Sequence, residues 1–244
     1  MWRRRFLALA LLAALGAAQA QPTTASPDPE VAAALKASAA AHARWRNELD
    51  AFDRADRERP PPQNGVLFVG SSTIRLWPHL AQDFPAQASL VVQRGVGGST
   101  LAECALLANE LVLRYRPRHV VVYAGDNDLV EGRTPLQILE SFALLTRAVR
   151  AALPDTRISF VSIKPSPSRE RWLPQVREAN NIISAYVNTL SNSDYIDIYT
   201  PMLGADGRPR PELFASDRLH MNSAGYALWQ SIISAQLMAP PQVR

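Results

Sequence analysis

Cysteine is nearly missing. Cys104 is the only one in 244 residues, so no internal disulfide can form. No Cys/His cluster with zinc spacing exists either, and no metal site is expected. Nucleotide signatures are also missing. There is no G-x-x-x-x-G-K-[ST] loop. Gly95-Val96-Gly97-Gly98-Ser99-Thr100 fails as G-x-G-x-x-G, because Thr100 takes the last position, and no acid ends a strand about 20 residues on. No G-x-S-x-G elbow occurs, which argues against the common α/β-hydrolase arrangement. No internal repeat is visible. After residue 20 no basic run interleaved with aromatics appears. The missing fingerprints speak against a dinucleotide or P-loop nucleotide site, and the missing basic run against nucleic acid as a partner.

Net charge is modest as well. The chain carries 26 Lys+Arg against 22 Asp+Glu. Residues 1–20, "MWRRRFLALALLAALGAAQA", hold three of the arginines and no acid. They have the layout of a secretory signal peptide: Arg3-Arg4-Arg5, an apolar run from Phe6 to about Ala18, and an Ala18-Gln19-Ala20 cleavage pattern. The run is shorter than the ~20 residues of a membrane span. Export by the Sec or the twin-arginine route is expected, to a periplasmic or extracellular location, with no stable membrane span after cleavage. The charge left after cleavage is close to zero, so the high pI of about 9.6 says little about partners.

A Pro/Ser/Thr-rich linker is expected over 21–29. Residues 30–58 are rich in Ala, Arg and Glu and read as one helix, so 30–60 forms an N-terminal helical segment packed on or extending the domain at 61–244. "RPPPQNG" stops it. Five short apolar runs follow: "GVLFVG", "ASLVVQRG", "RHVVVYAG", "TRISFVSI" and a weaker "SDYIDIYT". Helical patterns lie between them. The clearest starts at Thr134, with Gln137 completing a capping box and Pro135 at the first helical position. Residues 169–190 and 222–238 also read as helices. Cys104 lies in a helical pattern and reads as a small core residue. Strands alternating with helices predict an α/β fold with a parallel sheet wrapped on both faces. Ligands bind such folds beyond the carboxyl ends of the strands.

Four segments converge there: "GSST" (70–73), "RGVGGST" (94–100), "AGDND" (124–128) and "SDRLHMNSAGY" (216–226). A serine hydroxyl needs a base to become a nucleophile. His42 lies in the N-terminal helix. His79 is seven residues past Ser72, ~10 Å along a helix axis. His119 falls at the opposite end of the third strand. His220 remains, with Asp217 three residues before it, near enough to hold the imidazole in its useful tautomer. The glycine-rich turn offers backbone N–H groups and Asn127 a side-chain amide, both suited to an oxyanion. Each segment has a plainer reading as an ordinary turn.

Together the four blocks resemble the GDSL family, also called SGNH hydrolases, from about residue 64 to 238, and within it the branch near platelet-activating-factor acetylhydrolase subunits. The resemblance implies a flavodoxin-like three-layer α/β/α sandwich with a central parallel sheet of about five strands. It implies Ser72 as nucleophile with Asp217 and His220, and an oxyanion hole of Ser72, Gly98 and Asn127. It also implies no cofactor, and ester hydrolysis through an acyl-enzyme on a small-molecule, lipid or sugar ester. Position 71 departs from the family pattern, carrying Ser71 where an Asp is usual, which leaves two adjacent hydroxyls. Lys164, Arg169 and Trp172, in "SIKPSPSRERW", are candidates to line the site. The alternative function is a non-catalytic carbohydrate- or lipid-binding relative on the same scaffold. A third is an interaction module built on the helix at 30–58.

Overall fold

The computed structural model describes residues 28–238. The expected signal peptide and all but the end of the expected linker lie outside the described residues. At the first described position Asp28 already caps a helix, accepting from the Glu30 N–H at 2.9 Å.

That helix, α1 (Pro29–Arg44), leads into α2 (Arg46–Glu58). The single expected helix is thus two, kinked at Trp45 with φ −105° and ψ 16°. No Pro or Gly stands at the break. The kink instead turns the Trp45 indole inward, where it is buried in the same apolar cluster as Leu101 and Cys104. Leu49 and Phe52 of α2 pack on that cluster too. Polar contacts tether the pair: Arg44 to Glu103, Asp53 to Arg114, and Asp56 to both Arg94 and the Tyr115 hydroxyl.

The alternating part begins with β1 (Val66–Gly70), α3 (Ser72–Arg75) and α4 (Leu80–Asp83). Next come β2 (Val91–Gly95), α5 (Leu101–Leu106), α6 (Ala108–Leu111) and β3 (His119–Tyr123). Then follow α7 (Asp126–Val130), α8 (Pro135–Ala152), β4 (Arg157–Val161), α9 (Leu173–Val187), β5 (Ser193–Ile196) and α10 (Ser223–Met238). The Thr134/Gln137 capping box forms as expected, with Pro135 leading α8. The helix expected over 169–190 starts later, because Pro167–Trp172 is a 3-10 turn in which Arg169 leaves helical geometry (φ −117°, ψ 24°).

All five strands pair in parallel, in the order β2-β1-β3-β4-β5. This is the flavodoxin-like order, and the direction of winding reverses between β1 and β3. Side chains alternate across the sheet. Leu67, Val69, Val120, Val122 and Phe160 face a core closed by α5, α8 and α9. Phe68, Val121, Tyr123 and Val161 face a second core with Ile74, Trp77 and Trp229, closed by α3 and α10. Because β1 and β3 are buried on both faces, they read as unbroken apolar runs.

Candidate active site

At the carboxyl end of β1, Gly70 holds a φ of +148°, and a Cβ there would sit 1.7 Å from the Tyr123 carbonyl oxygen. Only glycine lets β1 and β3 run this close where the winding reverses. Ser71 follows and is wholly buried, and its Oγ has no hydrogen-bond partner among the described residues. Ser72, the first residue of α3, is half-buried at the rim. Its Oγ lies 3.0 Å from His220 Nε2. The two hydroxyls are therefore not equivalent: the strand end hides one and presents the other.

His220 sits in a tight loop ahead of α10. Its Nδ1 is 2.6 Å from Asp217 Oδ2. Asp217 Oδ1 accepts from the N–H groups of Leu219 and His220, both at 3.0 Å. Arg218 bridges the turn with a left-handed φ of +57°. The backbone bond from Leu219 leads the effects that bring the Asp217 carboxyl down to about 2, so it stays ionised. An ionised Asp217 selects the tautomer with hydrogen on Nδ1, leaving Nε2 free to accept from Ser72.

Beside Ser72 runs the glycine turn. Val96 N–H donates to the Gly70 carbonyl at 2.7 Å, tying the turn to the end of β1. Gly98 has φ +87°, again a glycine conformation. Among the described residues, the N–H groups of Ser72 and Gly98 have no hydrogen-bond acceptor. Asn127, at the start of α7, donates from Nδ2 to the Ser99 carbonyl at 2.9 Å, which leaves its second amide hydrogen unused. Next to it, Asp128 is fully buried and accepts from Leu101 N–H at 2.8 Å. Burial, only partly offset by that bond, pushes its carboxyl up to about 6.

The GDSL-like lipase/acylhydrolase family matches residues 65–228. The chain belongs to this family. No curated protein sequence matches it. Several solved structures share its fold. One, from Streptococcus pneumonia and provisionally named a platelet activating factor, superposes with a TM-score of 0.69 at 17% identity, over 84% of this chain and 99% of that one. A GDSL-like lipase from Bacteroides thetaiotaomicron VPI-5482 gives 0.67 at 21% identity, over 78% and 96%. A family 3 carbohydrate esterase from Clostridium thermocellum gives 0.56 at 16%, over 73% and 100%. A serine ester hydrolase of the GDSL type is what the family and the fold describe together.

Of the residues expected to line the site of this GDSL hydrolase, Lys164 does not. Its side chain is 1% exposed and pairs with Asp126 at 2.9 Å. It also donates to Thr73 Oγ1 and the Tyr123 hydroxyl, at 3.1 and 3.0 Å. A cation in a buried run needs such partners. Burial would raise the Asp126 carboxyl, but Lys164 and Arg169 beside it hold it below the usual value. Arg169 is half-buried and donates to Asn127 Oδ1 at 2.8 Å. Trp172 packs on the core, with Arg171 stacked on its ring at 3.7 Å. Sequence reasoning missed Asp126 and Thr73. The signal was there in Asp126: an acid inside "AGDND", just past the end of a buried strand, is held at less cost beside a cation.

Two of the other histidines have partners elsewhere. His42 pairs with Glu110 at 3.0 Å. His119 is the first residue of β3 and bonds Ser159 Oγ at 2.7 Å. Burial drives its imidazole down to about 3.

Proposed function

We propose that this chain is an exported serine esterase that cleaves carboxylic esters through an acyl-enzyme. One observation carries the reading: the unbroken chain from Asp217 through His220 to Ser72, at 2.6 and 3.0 Å. His220 takes the Ser72 proton as the oxygen attacks the ester carbonyl, and ionised Asp217 stabilises the imidazolium that forms. The N–H groups of Ser72 and Gly98 and the free amide hydrogen of Asn127 meet the developing oxyanion. Loss of one such donor costs about 10²–10³ in turnover. His220 then hands its proton to the leaving alcohol, and water, activated by the same imidazole, releases the acid.

The rim is open, with the side chains of His220 and Asp217 27% and 48% exposed. That suits an ester whose alcohol part is larger than the site, such as an acylated sugar. Fold likeness to a carbohydrate esterase supports the same choice. Export rests on the charge, apolar run and cleavage pattern of residues 1–20.

The decisive experiment is labelling by a fluorophosphonate probe, run beside hydrolysis of 4-nitrophenyl esters of increasing acyl length and of acetylated polysaccharide. Ser72→Ala abolishes labelling and turnover, while Ser71→Ala keeps both. The reverse result reassigns the nucleophile. No turnover of any ester by the parent protein returns the scaffold to a binding role.

A further inference from the structure

We propose that Arg169, carried by the connection after β4, is a positioning residue that fixes the Asn127 amide and thereby sets the strength of the oxyanion hole. This rests on the donor role proposed above for Asn127.

A side-chain amide has two faces of opposite sense. Turned by 180°, it would present an oxygen to the oxyanion and repel it. Two partners prevent that turn. The Ser99 carbonyl can only accept, so it selects Nδ2 (2.9 Å). The Arg169 guanidinium can only donate, so it selects Oδ1 (2.8 Å). A charged donor on Oδ1 also draws electron density from the amide, making its remaining N–H a stronger donor.

Arg169 is in turn held by Asp126 at 3.2 Å, and Lys164 reaches the same carboxylate oxygen at 2.9 Å. Asp126 thus holds both cations through one oxygen, and with them the Arg169 fork that rests on Asn127 Oδ1. The same connection touches the other two arms of the site. Lys164 bonds Thr73, the neighbour of Ser72, and Ser168 N–H donates to the Arg218 carbonyl at 3.0 Å, inside the His220 loop. Position 71 offers no such brace, since the buried Ser71 hydroxyl has no hydrogen-bond partner among the described residues.

A double-mutant cycle tests this. kcat and KM for 4-nitrophenyl acetate, and the fluorophosphonate labelling rate, are measured for Arg169→Ala, Asn127→Ala and the double variant. Melting curves accompany each. Arg169→Ala is expected to lower kcat by ~10–10² with KM little changed, a share of the donor's full worth. Arg169→Lys, which keeps the charge and loses the fork, falls between. The double variant is expected within ~3-fold of Asn127→Ala, because removing the amide removes what Arg169 acts on. Added guanidinium ion restores part of the Arg169→Ala loss and none in the double variant. Arg171→Ala, two residues away and stacked on Trp172, leaves turnover unchanged.

Losses that multiply in the double variant, or an Arg169→Ala enzyme with full kcat, overturn the proposal while Asn127 keeps its role. A silent Asn127→Ala overturns both. Should Arg169→Ala not fold, Arg169→Lys and Arg169→Gln carry the same cycle.

Discussion

Adjacent residues in the site segments meet opposite fates. Ser71 is buried and Ser72 sits at the rim. Asn127 is half-buried against the glycine turn, donating to the Ser99 carbonyl, and Asp128 is fully buried. One residue of each pair is partly exposed and its neighbour is sealed in the scaffold. Asp128 has a measurable consequence. Its carboxyl is raised to about 6 by burial, above the value of an unfolded aspartate. Its contribution to stability is thus largest below about pH 4, where both states are protonated, and is lost as pH rises through 6. Asp128→Asn keeps an oxygen for the Leu101 N–H and removes the charge. The variant is expected to gain roughly 1–3 kcal/mol over the parent at pH 8, from the size of the shift, and nothing at pH 4. Urea melts at the two pH values check the sign. A parent that is more stable than the variant at pH 8 would mean the carboxylate is better accommodated than its burial indicates.

Among the elements, the N-terminal helix pair is the one whose place sequence patterns left open. An Ala-rich amphipathic segment looks the same whether it packs on its own domain or waits for another. Here Trp45 decides. The residue is 7% exposed, and its Cη2 lies 3.9 Å from where a Cβ on Gly98 would sit. The pair thus packs against the back of the glycine turn, although the family match begins only at residue 65. Trp45→Ala is expected to destabilise the protein by ~3–5 kcal/mol. Leu35→Ala, at a position 64% exposed in α1, is expected to stay within ~0.5 kcal/mol. Denaturant midpoints of the two variants compare them directly, and equal midpoints would detach the helix pair from the domain. The connection after β4 shows the same ambiguity. Its Lys164 and Arg169 were recognisable as polar groups near the rim, but their direction was not. Their partners Asp126 and Asn127 lie 38 and 42 positions away in the chain, beyond the reach of any local pattern.

At the scale of the whole molecule, a five-stranded parallel sheet has helices on both faces and the proposed catalytic residues at one rim. Cys104 reports on the integrity of this arrangement. It is fully buried, and burial pushes its thiol up to about 12. The thiolate needed for reaction is therefore scarce as well as inaccessible. Ellman's reagent is expected to find no thiol in the native protein and one per chain in denaturant. The labelling rate at low denaturant should follow global opening. Fast native labelling would show that α5 opens on its own.

The sequence by itself determined the five apolar strands, the capped α8 and the four polar blocks at strand ends. Each depends on a short apolar run, on a period of 3.6 residues, or on a turn a few residues long. The resemblance those blocks carry also named Ser72 over Ser71. Only the tertiary structure decided the strand order, which hydroxyl the fold exposes, the docking of Trp45 and the inward turn of Lys164 and Arg169. Those depend on which distant groups share a dry space, where an unpaired charge or hydroxyl is costly and a paired one is held in place.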